Sequence, residues 1–183
     1  MSEQIDFIKK IAARLDSAGI AYMLTGSLAM TFYATPRMTR DIDLIIEISE
    51  NSAEDLLALF ASDCYIDAGS IARAISTEGM FNIISNEFIL KADFIIKKTD
   101  EYRQLEFTRR REVQIDGCRI FIVAPEDLII SKLIWGKDSE SEMQLRDILN
   151  LLNFAKDLDL DYLNFWVERH GLKEYFKKAI KNE

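Results

Sequence analysis

Two carboxylates one residue apart, Asp41 and Asp43, open the run Asp41-Ile42-Asp43-Leu44-Ile45-Ile46-Glu47-Ile48. Side chains alternate along an extended strand, so Asp41 and Asp43 share one face while Ile42, Leu44, Ile46 and Ile48 fill the other. Neighbouring carboxylates repel unless a cation lies between them, and Mg2+, with its preference for hard oxygen ligands, is the natural partner. Upstream, with thirteen residues intervening, stands Gly26-Ser27. The apolar run from Tyr22 to Leu24 stops at Thr25-Gly26-Ser27, and Ser27 occupies an N-cap position before the helix-compatible stretch 28–34. A glycine lets the backbone approach a ligand, and the free N–H groups of a helix start favour a phosphate. The pattern predicts a phosphate turn beside a cation-binding carboxylate pair.

Such residues need a scaffold. Residues 3–18 place Ile5, Phe7, Ile8, Ile11, Ala12 and Leu15 near an i, i+3, i+4 pattern that Gly19 closes, which predicts an amphipathic helix. A helix after Gly26-Ser27 must end near Thr35-Pro36, because the residue before proline is pushed out of the helical region. Ser49, Glu50, Asn51 and Ser52 offer N-caps for a helix over 53–61, residues 65–67 read as extended, and 70–77 as a helix. Strands over 81–85 and 88–96 are joined by Ser85-Asn86-Glu87, a helix follows over 99–110, and 113–123 is a hairpin turning at Asp116-Gly117. From Ala124 only helices are expected. Pro125 suits the first turn of one reaching about Gly136, Ser139 or Ser141 opens another reaching about Leu158, and 159–170 and 172–181 follow. The fold class expected is α/β, a mixed sheet flanked by helices over residues 1–124, followed by a helical segment over 125–183 packed on that core as a single compact unit.

In the strand 88–96, Asp93 shares a face with Lys91 and Lys97, opposite Leu90, Ala92, Phe94 and Ile96. An Asp between Ala and Phe is disfavoured in a strand without a partner. If this strand lies beside the one carrying Asp41 and Asp43, three carboxylates converge.

Gly26-Ser27, the thirteen-residue spacing and Asp41-x-Asp43 between apolar neighbours resemble the signature of the DNA polymerase β-like nucleotidyltransferase superfamily. The run Thr35-Pro36-Arg37-Met38-Thr39-Arg40-Asp41 is similar to that of its small prokaryotic branch, which includes abortive-infection-type, toxin-like members. The resemblance implies a nucleotidyltransferase core over 1–124 in which Gly26 and Ser27 contact a triphosphate and Asp41, Asp43 and Asp93 hold Mg2+, two ions in all. Arg37 and Arg40 precede the carboxylate strand, where a guanidinium meets the triphosphate tail; plain loop charges are the equal alternative. In the helical segment, Pro125 to Leu133 is similar to the lysine-bearing motif of those transferases and Arg146 to Leu149 to a later acidic motif. That likeness implies that Lys132 neutralises phosphate charge and that Asp147 orients the lysine or the acceptor.

The expected activity is Mg2+-dependent transfer of a nucleoside monophosphate from a nucleoside triphosphate to an acceptor hydroxyl. The acceptor stays open among a small polyol, a tRNA 3′ end and a protein hydroxyl, and a toxin role would add an antitoxin partner. The alternative is a nucleotide- or partner-binding module that keeps the fold without catalysing transfer.

The totals narrow the field. A chain of 183 residues builds one domain, with or without a helical appendage. Its 49% hydrophobic and 30% charged residues are those of a folded globular protein. A net charge of −8 argues against broad nucleic-acid binding, which depends on neutralising phosphates. Arg109-Arg110-Arg111 is the one local basic run, read either as a solvated helix end or as a patch facing an RNA acceptor. Cys64 and Cys118 lack the spacing of a zinc site or disulfide framework and are expected to be buried. Residues 1–15 are charged throughout, unlike a signal peptide, and no apolar run spans a bilayer, so a cytoplasmic location is expected. Trp135 and Trp166 are expected in the core. His170, the sole histidine, sits at a helix end with no serine partner, which sets aside a triad hydrolase.

Overall fold

The computed structural model describes residues 2–49, 52–139 and 141–181. Glu50 and Asn51, two of the four N-cap choices, lie outside them. The chain divides into two compact units, one formed by Met1–Leu28 with Met38–Val123 and the other by Ala29–Arg37 with Ala124–Glu183.

The first unit is built on a seven-stranded mixed sheet. In chain order its elements are α1 (Ser2–Ser17), β1 (Tyr22–Thr25), β2 (Ile42–Ile46), α3 (Ala53–Phe60), β3 (Cys64–Tyr65), α4 (Ala68–Thr77), β4 (Met80–Ser85), β5 (Lys91–Ile96), α5 (Glu101–Thr108), β6 (Arg111–Ile115) and β7 (Cys118–Ile122); α2 (Gly26–Met30) follows β1. The strand order is β3-β4-β5-β2-β1-β7-β6. Pairings β2–β5 and β1–β7 are parallel and the rest antiparallel. Ile42, Leu44, Ala92, Phe94 and Ile83 are fully buried on one face of the sheet. There Phe94 stacks on Phe81 with ring centroids 5.3 Å apart and meets Phe60 at 5.7 Å.

Turn chemistry explains most boundaries. Gly19 takes a left-handed φ of +67° and ends α1. Asp116 and Gly117, both at positive φ, make the tight β6–β7 turn read from the Asp-Gly pair. Two starts differ from expectation. Helix α4 begins at Ala68 rather than residue 70, because Asp67 caps it, its carboxylate accepting from the Ser70 N–H at 2.7 Å. Strand β5 begins at Lys91 rather than Phe88, because the Ser85 hydroxyl accepts the Phe88 N–H and Ile89 turns to φ +52°, closing a longer loop.

The larger departure is α2. The helix expected through residue 34 ends at Met30. The Phe32 and Tyr33 N–H groups bond three residues back to the Ala29 and Met30 carbonyls, tightening the chain into turns. Thr31, Phe32 and Tyr33 are weak helix formers, so nothing sustains a longer helix before Pro36.

The second unit is helical, with α6 (Pro125–Ser139), α7 (Glu142–Phe154), α8 (Leu160–Arg169) and α9 (Lys173–Lys181). Helix α6 packs on the other three, with Leu128, Ile129, Ile130, Leu133, Ile148, Leu151 and Leu163 buried. Two buried acids tie α6 to α8: Glu126 accepts from the Asp159 N–H at 3.0 Å, and Asp127 from the Tyr162 hydroxyl at 2.6 Å. Ser141 caps α7 through the Gln144 N–H. Trp166 is in the core as expected, but Trp135 is 63% exposed. An expectation for Cys118 also fails: Cys64 is buried, whereas Cys118, on hairpin strand β7, is exposed. No described helix is long and apolar enough to cross a membrane.

Candidate active site

Register brings the sequence-predicted residues of the first unit together. Thr25 pairs with Asp43, Asp43 with Asp93, and Asp93 with Asn82. Paired residues point to the same face, so a row of four polar side chains crosses β1, β2, β5 and β4. Along the same strands the next positions on that face are Met23, Ile45, Ile95 and Met80. Asp41 lies just before β2 and is exposed, its N–H bonded to the Thr39 hydroxyl at 3.3 Å.

Asp93 is the deeply placed member, only 6% exposed. Its Oδ2 accepts from Lys91 at 2.7 Å, while its Oδ1 is buried with no hydrogen-bond partner. Leaving a buried carboxylate oxygen unsatisfied costs free energy, which makes such an atom a pointer to a missing cation or donor. Lys91 responds to the whole group. The Asp93 hydrogen bond raises its pKa above the ordinary lysine value against an opposing effect of burial, and the charges of Asp93, Asp41 and Asp43 add to the rise.

Gly26 adjoins Asp43 directly. Its φ is +67°, and a Cβ built there would lie 2.0 Å from Asp43 Oδ2. Only glycine leaves that carboxylate its place. Ser27 falls within the first turn of α2 rather than at its cap, since the helix opens at Gly26. A helix of five residues carries little macrodipole, so the Gly-Ser turn contributes close backbone approach more than a helix field.

Among the described residues no three His, Cys, Asp or Glu side chains stand close enough together to enclose a metal ion. The donor set nevertheless suits a hard divalent cation: carboxylate oxygens in one register, one of them buried without a partner, with Asp43 seated against a glycine.

The second unit holds its own charged cluster. Asp147 is buried and accepts from Lys132 Nζ at 2.7 Å, from Arg37 Nε at 2.9 Å and from Arg37 Nη2 at 3.1 Å. Gln144 accepts from Lys132 at 3.3 Å. Lys132 and Asp147 therefore do not lie on the wet helix faces that their isolated positions allow, since a buried carboxylate requires such partners. Arg37 is engaged by Asp147, while Arg40 is exposed. Within the basic run, the Arg110 guanidinium is packed on aromatic rings, 4.5 Å from the Phe107 ring centre and 5.2 Å from that of Phe121, while Arg111 is exposed.

Sequence reasoning placed Lys91 on the Asp93 face but assigned it no role. The i, i+2 spacing of opposite charges on a strand was the available signal. Asn82 and Gln144 carried none, because their positions depend on pairing with distant segments.

Comparison with known proteins agrees with this architecture. The chain spans 100% of its own length and 94% of an antigenic nucleotidyltransferase-like protein from Paracoccidioides brasiliensis, with a TM-score of 0.60 and 17% identity. Against ANT(2″)-Ia, solved in complex with adenylyl-2″-tobramycin, the TM-score is 0.59 at 14% identity, covering 94% of this chain and 98% of that one. At such identities the likeness is one of fold. No curated protein matches the sequence. The family model described as "Nucleotidyltransferase of unknown function (DUF6036)" matches residues 2–175. With nearly the whole chain matched, the protein belongs to that nucleotidyltransferase family.

Proposed function

We propose that the protein transfers a nucleoside monophosphate from a nucleoside triphosphate to an acceptor hydroxyl. The observation that carries this reading is the row Thr25, Asp43, Asp93, with Gly26 against Asp43 and a partnerless Asp93 Oδ1. Asp41 and Asp43 would hold Mg2+, with Asp93 sharing a second ion; the metal supplies charge neutralisation for the transferring phosphoryl group and the leaving pyrophosphate. Gly26 and Ser27 place backbone beside the triphosphate. In its alternative role as base, Asp93 would accept the proton as the acceptor oxygen bonds to the α-phosphorus and the bond to pyrophosphate breaks. Arg37, Arg40 and Lys132 are proposed to counter phosphate charge, and Asp147 to fix Lys132 and Arg37 in place, as its three hydrogen bonds to them support. Placement and charge carry the rate in such chemistry.

The acceptor belongs on the β4 side of Asp93. There Asn82 continues the row and, with Tyr65, Asp67, Ser70 and Met80, lines a cleft of about 290 Å³. The adenylyl-tobramycin complex of ANT(2″)-Ia supports a small polyol acceptor, and the stacked Arg110 weighs against a tRNA end. A protein hydroxyl acceptor and an antitoxin partner, which a toxin-like role would require, have no comparable support. Binding without transfer is the second reading, favoured by the lack of a ready three-carboxylate metal site among the described residues.

Pyrophosphate release with each nucleoside triphosphate, Mg2+ and a panel of polyol, tRNA and protein acceptors separates the two readings. Release that disappears in folded Asp41→Ala and Asp43→Ala chains is the expected result. Nucleotide binding without release under any condition, or wild-type turnover by Asp41→Ala, would overturn the transferase reading.

A further inference from the structure

The two tryptophans of the helical unit are treated differently by the fold. Trp166 is buried and packs against Tyr162, Phe165 and His170. The Trp135 indole is 63% exposed and meets no aromatic ring or cation among the described residues. Its place on α6 gives that exposure a context. Residues three and four positions on from a helical residue flank it on the helix surface, so Trp135 and Gly136 stand on either side of Lys132. The Gly136 side is filled: a Cβ there would lie 2.5 Å from the Tyr175 hydroxyl oxygen and 2.9 Å from Gln144 Cβ. The other side carries the exposed indole. Gln144 also accepts from the Lys132 ammonium at 3.3 Å, and Asp147 accepts from it at 2.7 Å, so the ammonium is held in place one helical turn from the ring. A single exposed apolar side chain is ordinary. A large planar ring beside a fixed ammonium is the pairing a nucleoside phosphate needs, a π-face for its base and a cation for its phosphate. A polyol has no π-face to offer the indole.

We propose that Trp135 is the stacking platform for the base of the nucleoside triphosphate. The inference rests on the reading of Lys132 as a group that counters phosphate charge, and it names the residue that takes the other end of the same ligand. Every base has a π-face, so stacking of this kind tolerates any of them. Trp135 therefore contributes affinity, and choice among bases falls to groups that hydrogen-bond the base edge.

The test measures calorimetric affinity and tryptophan emission together, with Mg2+ and each nucleoside triphosphate, on wild type, Trp135→Phe and Trp135→Ala. Circular dichroism melts confirm that each chain is folded. A nucleotide that binds is expected to quench the emission of wild type and to leave that of Trp135→Phe, which retains only the buried Trp166, unchanged. Trp135→Ala is expected to bind it about tenfold more weakly, and Trp135→Phe, which keeps a ring, to fall between the two. Inorganic tripolyphosphate, which has no base, should leave the wild-type emission unchanged. Nucleotide binding without quenching, equal quenching by tripolyphosphate, or wild-type nucleotide affinity in Trp135→Ala would overturn the proposal while leaving nucleotide binding standing. Quenching by a polyol acceptor alone would give the ring to the acceptor and overturn the proposal likewise. No nucleotide binding to wild type would overturn the nucleotide reading itself and the proposal with it.

Discussion

Replacing Gly26 by alanine perturbs the backbone and a neighbouring carboxylate, and a second glycine allows the two effects to be separated. Gly19 and Gly26 share a φ of +67°, but a Cβ at Gly19 meets nothing within 4 Å. Holding a residue with a Cβ in the left-handed region costs roughly 1–2 kcal/mol, so both variants should lose about that much stability in urea titrations. At position 26 the new Cβ would sit 2.0 Å from Asp43 Oδ2 and 2.8 Å from Asp43 Cγ, whereas real Cβ contacts essentially never fall under 3.0 Å. The carboxylate oxygen must therefore retreat by about 1 Å, a misplacement of the size that costs about 10²-fold in rate. Strand β2 cannot yield instead. It is bonded to β1 on one side and β5 on the other, with Ile42 and Leu44 fully buried. The expected outcome is a similar loss of stability in Gly19→Ala and Gly26→Ala, with a roughly 10²-fold loss of pyrophosphate release and weakened Mn2+ binding in Gly26→Ala alone. Wild-type turnover and Mn2+ affinity in a folded Gly26→Ala chain, or an equal loss in Gly19→Ala, would refute the reasoning.

Two further predictions concern charge. Asp147→Ala leaves the buried Lys132 ammonium and the Arg37 guanidinium without their shared carboxylate and should cost about 3 kcal/mol in urea unfolding; a loss under about 1 kcal/mol would mean that other groups satisfy both cations. Asp63 accepts both Arg14 guanidinium nitrogens, at 2.8 and 2.9 Å, and these bonds, with that of Lys10, hold its carboxyl well below the usual carboxylate range. A depressed folded-state pKa stabilises above the unfolded value and is lost as pH falls, so Asp63→Asn should cost about 1 kcal/mol near neutrality. That deficit should narrow as the pH drops below about 4, and a pH-independent deficit between pH 7 and 2 would contradict the assignment.

What the sequence disclosed was local or periodic. The alternation through Asp41 to Ile48 placed two carboxylates opposite a buried face, Gly19 ended its helix, and Asp116-Gly117 made its hairpin, because each signal depends on neighbouring residues alone. The third carboxylate was visible as an acid out of place between Ala92 and Phe94, and only pairing of β5 with β2 sets it beside Asp43. Partnerships across long separations left no trace. Nothing around Arg37 indicates that Asp147, distant in sequence, will take its guanidinium, and nothing around Trp135 distinguishes it from Trp166, which is buried. The short α2 was misread because its apolar residues fit a helix, whereas the turn-forming hydrogen bonds after Met30 depend on the chain's path toward Pro36.

The strand order has a consequence for how the row of polar residues can be lost. Asp43 and Asp93 lie on adjacent strands with a further strand bonded on each side, β1 beyond β2 and β4 beyond β5, so neither residue is on a sheet edge. Edges and termini open by local fluctuation, whereas interior strands exchange their amide hydrogens mainly through global unfolding. The pair should be among the slowest-exchanging segments of the protein, and it forms only when residues as far apart in the chain as Asp43 and Asp93 come together, a non-local step that tends to come late in folding. Asp41, outside the ladder, is free of that constraint. The row thus joins two carboxylates fixed in interior strands to an exposed one just outside the ladder.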